Sequence, residues 1–123
     1  MPKSGATGLT RIINAFGYSM KGITSAIKYE SAFRQEVLLF VIMLPLAFLL
    51  GRTYVEYILL IGSLLLVLTV ELLNSAVEAV VDHVSPEFAE LAGRAKDMGS
   101  AAVFITLVNV FLVWGFIAYD RFV

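Results

Sequence analysis

The stretch Gly62–Asp82, GSLLLVLTVELLNSAVEAVVD, decides how the chain is read. Its first nine residues carry no charge, and its last twelve carry Glu71, Asn74, Glu78 and Asp82. At about 100° per residue, Glu71, Asn74, Ser75, Glu78 and Asp82 fall within an arc of about 100° on a helix. Leu72, Leu73 and Val77 lie outside that arc. An apolar helix that ends in a single acidic stripe suits a span leaving a membrane. A carboxylate at the centre of a bilayer helix costs about 2.5–3.5 kcal/mol on insertion scales. Counting from Tyr57, Glu71 comes about two-thirds of the way across, and Glu78 comes close to the water boundary. The stripe therefore descends from hydrocarbon to water.

The whole composition agrees with a lipid environment. Of 123 residues, 59% are hydrophobic, and the mean hydropathy is +0.87. So small a soluble domain could not hide that much apolar surface. The net charge of −1 and the absence of a broad basic face exclude a nucleic-acid partner. With no cysteine there is no disulfide, thiol nucleophile or cysteine-ligated metal. The opening residues, MPKSGATGLTRIINAFG, lack the long apolar core of a signal peptide and are expected to be retained.

Three spans are expected within one domain covering residues 1–123, at about 33–51, 57–81 and 97–119. Pro45 is expected to kink the first. Small residues open the third (Gly99, Ser100, Ala101, Ala102) and would let another helix approach closely. Ahead of the spans, Leu9, Ile12, Ile13, Phe16, Met20, Ile23 and Ile27 form one helical stripe, with Arg11, Asn14, Lys21 and Lys28 off it. This predicts an amphipathic helix over about 6–28 lying in the membrane surface. Packing against the spans is the alternative, and both can hold. Gly17 and Gly22 weaken this helix and allow a break. Seven of the nine Lys and Arg residues fall before the first span or between the second and third, which places both regions in the cytoplasm.

The descending stripe suits a reaction between a lipid head group and a water-soluble cosubstrate. Glu71 could take a proton from a lipid hydroxyl. Glu78 could hold a divalent metal, because Mg²⁺ takes one or two carboxylates plus phosphate oxygens. Asn74 could orient either. An interhelical polar clamp is the plainer reading of Asn74 and Ser75. Glu30 and Glu36 in KYESAFRQE, and Lys96 and Asp97 in GRAKDMGS, fall at the same membrane level as Glu78. The segment Asp82–Asp97, DHVSPEFAELAGRAKD, has a helix-start signal at Ser85, Pro86 and Glu87; Gly93 could end that helix, or it could run on. Neither a G-x-x-x-x-G-K-[ST] loop nor a G-x-G-x-x-G occurs, so a nucleotide site here is not a P-loop, protein-kinase or dinucleotide fold.

Four stretches together resemble the small integral-membrane diacylglycerol kinases of Gram-negative bacteria: TGLTRIINAFGYSMKG, ESAFRQE, ELLNSAVEAVVD and GRAKDMGSAA. The resemblance covers nearly the whole chain in order. It implies an all-α homotrimeric bundle in the inner membrane, each protomer with three transmembrane helices and a surface helix. The implied activity is Mg²⁺-dependent transfer of the γ-phosphoryl of ATP to 1,2-diacylglycerol, at sites between protomers. By the same resemblance Glu71 is the general base, and Glu30 and Glu78 are the metal carboxylates. Arg11, Tyr18, Glu87, Lys96 and Asp97 fall at the nucleotide, and Asn74 lies between base and metal ligand. Arg11, Ala15, Phe16, Gly17, Tyr18, Ser19, Met20, Ser100 and Trp114 line the lipid's path. The chain departs from the better-known members at Met20 and Ile27, where those have tryptophan, and in the loop GRTYVEY. Undecaprenol kinases share part of the pattern. A non-enzymatic oligomeric protein and a proton-coupled exporter are the alternatives from another class; an exporter would use Glu71 for coupling but would not need Glu30, Glu78, Lys96 and Asp97 gathered at one face.

Overall fold

A computed structural model describes residues 7–85 and 89–123. The elements are four helices: α1 (Gly8–Tyr29), α2 (Ser31–Leu50), α3 (Tyr54–Val84) and α4 (Glu90–Phe122). Among the described residues there is no strand. Three of the helices, α2 to α4, are long and apolar enough to cross a membrane. The chain is thus an all-α membrane protein.

α3 has 31 residues, about 46 Å at 1.5 Å per residue. A hydrocarbon core takes about 30 Å of that, so the acidic end of α3 has length to spare for the head-group layer. One face of α3 is buried along its length: Leu60, Ser63, Leu64, Val67, Glu71 and Ser75. The start of the acidic stripe, at Glu71 and Ser75, is therefore a continuation of the core stripe, whereas Asp82 at its end is exposed. α4 runs antiparallel to α3, as their contacts show. Trp114 Nε1 donates to the Leu60 carbonyl at 3.3 Å, Gly99 lies against Asn74, and Lys96 pairs with Asp82 at 2.6 Å. Ala47, Leu60 and Ile117 form the buried core at the end remote from α1, with Trp114 packed on it.

The α2–α3 turn is tight. A Cβ on Gly51 would stand 2.6 Å from the Tyr57 ring, and Tyr57 in turn packs on Phe48 with centroids 5.6 Å apart. Thr53 caps α3 by accepting from the Glu56 amide at 3.2 Å. Arg52 bridges Glu56 and Asp120, tying this turn to the end of α4. Hydrogen bonds to Glu56 and Asp120 hold the Arg52 guanidinium above its ordinary range.

α2 stays helical on both sides of Pro45; the ring removes one backbone donor, which leaves the Val41 carbonyl without its usual partner. α1 likewise passes through Gly17 and Gly22 without a break. The apolar stripe of its first half is bare, with Leu9 72% and Phe16 66% exposed, whereas Ala26 near its end is 6% exposed. The first half presents an uncovered apolar stripe, as an interfacial helix does, and the last turns pack on the spans. Large side chains such as Leu49, Phe111 and Phe116 form an exposed apolar belt over the spans. In lipid, that belt carries none of the cost it would carry in water.

Candidate functional site

Glu71 is 6% exposed in the middle of the buried face of α3. Glu36, Glu78 and Glu30 are the carboxylates near enough to act on it electrostatically. The described residues form three ion pairs, Arg52 with Glu56, Arg52 with Asp120 and Lys96 with Asp82. None of them neutralises Glu30, Glu36, Glu71 or Glu78. These four carboxylates have no basic side chain paired to them among the described residues.

Local structure explains why Glu30 sits there. It is at once the C-cap of α1 and the N-cap of α2, in extended backbone, with its amide donating to the Ala26 carbonyl at 2.9 Å. The last α1 carbonyls would otherwise lack partners. Arg34 from the first turn of α2 donates to them, to Ile27 at 2.8 Å and Lys28 at 3.2 Å. That clamp closes the α1–α2 corner and holds Glu30 at the lip of a cleft of about 500 Å³ between α1 and α3. Small residues keep the cleft open, among them Gly22, Ala26, Ser75 and Ala79.

Asn74 faces the other way, toward α4. Its Nδ2 donates to Glu78 Oε1 at 3.4 Å. Its Oδ1 is buried and accepts no hydrogen bond from any described residue.

Of the residues singled out from sequence, the fold brings together Glu30, Glu71, Asn74 and Glu78, with Ser19 on the α1 side of the cleft. Lys96 reaches the same level but is paired to Asp82. Asp97 lines a separate recess of about 300 Å³ with Leu91, Arg94 and Met98. Arg11, Ala15, Phe16, Gly17, Tyr18 and Met20 are exposed on α1, and Ser100 is exposed on α4. Trp114 packs at the level of Leu60, about three helical turns from Glu71. Glu87 lies outside the described residues. Two contributors were missed at the level of sequence. The clamp role of Arg34 is signalled only by a basic residue following the end of a helix, and Ser75 as a cleft residue has no signal of its own.

No group of three acidic or histidine side chains among the described residues is placed to hold a metal by protein alone. A hard divalent cation held by two carboxylates plus phosphate oxygens needs fewer protein ligands. Glu30 and Glu78, neither of them in an ion pair among the described residues, are the right donor chemistry for it.

Fold and site together define an α-helical membrane protein with a group of carboxylates around the buried Glu71 of α3. The chain belongs to the prokaryotic diacylglycerol kinase family, whose model matches residues 17–118. It is 57% identical over 113 residues to the diacylglycerol kinase of Haemophilus influenzae, covering 92% of this chain and 96% of the relative. The Pseudomonas aeruginosa diacylglycerol kinase is 53% identical over 113 residues, with 92% of each chain covered. That of Escherichia coli K12 is 47% identical over 116 residues, with 94% of this chain and 95% of the relative covered.

Proposed function

We propose that this chain is an ATP-dependent lipid kinase that phosphorylates 1,2-diacylglycerol to phosphatidic acid at the cytoplasmic face of the bacterial inner membrane. The observation that carries the reading is Glu71, a carboxylate buried on the core face of a membrane-crossing helix with three other carboxylates around it. A carboxylate at membrane depth is a functional group by default. Family membership and three relatives named diacylglycerol kinase support this acceptor over undecaprenol or an export function.

In the proposed reaction Glu71 accepts the proton of the free lipid hydroxyl as its oxygen attacks the γ-phosphorus. The new oxygen–phosphorus bond forms, the bond to the β-phosphate oxygen breaks, and ADP leaves. Asn74 holds the Glu78 carboxylate one turn further toward water. Glu30 and Glu78 would hold Mg²⁺, which when bound supplies positive charge to the phosphates. Arg11, Tyr18, Glu87, Lys96 and Asp97 would meet the nucleotide. Ala15 to Met20, Ser100 and Trp114 would meet the lipid. Phosphoryl transfer asks little covalent chemistry of a protein and much alignment.

A homotrimer with sites between protomers completes the reading. In one chain the Glu30 cleft and the Asp97 recess are lined by different residues, and a neighbour's recess could close the cleft. The excess of Lys and Arg at the α1 and α3–α4 ends supports a cytoplasmic N-terminus. The test is incubation of purified protein with Mg²⁺, labelled ATP and a panel of lipid alcohols. Label is expected in phosphatidic acid. Transfer to undecaprenol alone, or ATP consumption without lipid product, would contradict the proposal.

A further inference from the structure

We propose that Gly99 is a positioning residue for phosphoryl transfer: the space left by its missing side chain seats the Asn74 carboxamide oxygen and thereby aims the Asn74 amide nitrogen at Glu78. The inference rests on the function proposed above.

A Cβ built on Gly99 collides with Asn74 Oδ1, and its next two neighbours, at 3.1 and 3.8 Å, are Asn74 Cγ and Cβ. The three atoms nearest to that Cβ all belong to Asn74. By contrast, a Cβ on Gly17, Gly22, Gly62 or Gly115 would meet nothing within 4 Å. The requirement for glycine belongs to position 99 among these, not to helical glycines in general.

Oδ1 is sealed from solvent and accepts no hydrogen bond from the described residues. It rests on the bare backbone of α4, a geometry in which Cα–H groups offer only weak contacts. With the oxygen there, the amide nitrogen is left pointing at Glu78 Oε1. Asn74 lies three residues after Glu71 and four before Glu78, so it flanks both on one helix face.

A methyl group at 99 must be relieved either by parting α3 from α4 or by turning the Asn74 side chain. The Trp114–Leu60 bond and the Lys96–Asp82 pair join the two helices on either side of this level. The side chain turns, and the nitrogen leaves Glu78. A displacement of about 1 Å at a phosphoryl-transfer site can cost a hundredfold in rate.

The test uses full-length protein in lipid vesicles, comparing the parent, Gly99→Ala and Ala101→Ser, whose site lies on the exposed side of the same helix. Gly99→Ala is expected to lower kcat at least about tenfold, with KM for ATP and for diacylglycerol within about twofold. The Mg²⁺ concentration for half-maximal rate should rise, because Glu78 has lost its partner. Ala101→Ser should match the parent in all three. An unchanged kcat, an equal loss in Ala101→Ser, or a reduced kcat with an unmoved Mg²⁺ curve would each overturn the proposal. Thermal unfolding of Asn74→Ala with and without Gly99→Ala reads the seat independently of activity, including when the single variant folds too poorly for kinetics. Alanine at 99 should cost stability beside Asn74 and little once the carboxamide is gone. Equal cost in both backgrounds overturns the proposal. A parent that forms no phosphatidic acid contradicts the proposed function instead, and leaves the unfolding comparison to judge the seat.

Discussion

At the scale of single residues, Glu71 and Glu78 differ in what surrounds them more than in chemistry. Glu71 is buried on the core face, whereas Glu78, two turns nearer the end of α3, is half-buried and holds an amide partner. The deeper acid suits proton removal from a lipid, and the shallower one suits a hydrated cation. Glu78→Gln keeps the size and loses the charge. We expect its Mg²⁺ titration to shift to higher concentration, and an unmoved titration would remove Glu78 as a metal ligand. The spacing of these acids was legible in the sequence because helical periodicity fixes which side chains share a face. The seating of Asn74 on Gly99 was not. It depends on which residue of α4 comes opposite, and that is set by packing along two whole helices, not by any local pattern.

Among elements, the apolar part of each span was legible and the polar ends were not. α4 begins at Glu90, well before the uncharged run that opens at Met98. It continues through Gly93, whose amide donates to Ala89 at 2.9 Å. Ala, Arg and Lys are good helix formers, so the helix extends through a polar stretch that hydropathy does not mark. α3 is extended in the same way at both ends, from Tyr54 to Val84. The α1–α2 corner shows how one long-range contact places a site residue. Replacing Arg34 by alanine removes two charge-assisted bonds to the end of α1. On an exposed clamp this should cost about 1 kcal/mol. It should appear as faster hydrogen exchange at the amides of residues 24–30, with slower phosphoryl transfer as Glu30 loses its place. Unchanged exchange there would show that packing of Ala26 alone holds the corner.

For the whole molecule, a single chain leaves its cleft open and places Asp97 in another recess. Sites shared between protomers predict that two variants, each impaired at a different residue of the site, can rescue each other. Chains carrying Glu78→Gln and chains carrying Asp97→Asn, unfolded together and reassembled in equal amounts, should regain activity in about a quarter of sites. No recovery in mixed assemblies would place each site within one protomer.

The central claim is that a buried carboxylate on α3 deprotonates a lipid alcohol for attack on ATP, and Glu71→Gln tests it most directly. Phosphatidic acid formation and ATP binding should be measured on the same preparation of parent and variant in lipid vesicles. We predict that the variant binds ATP as the parent does and forms no phosphatidic acid. A variant that still phosphorylates diacylglycerol while its affinity for ATP collapses would contradict the account.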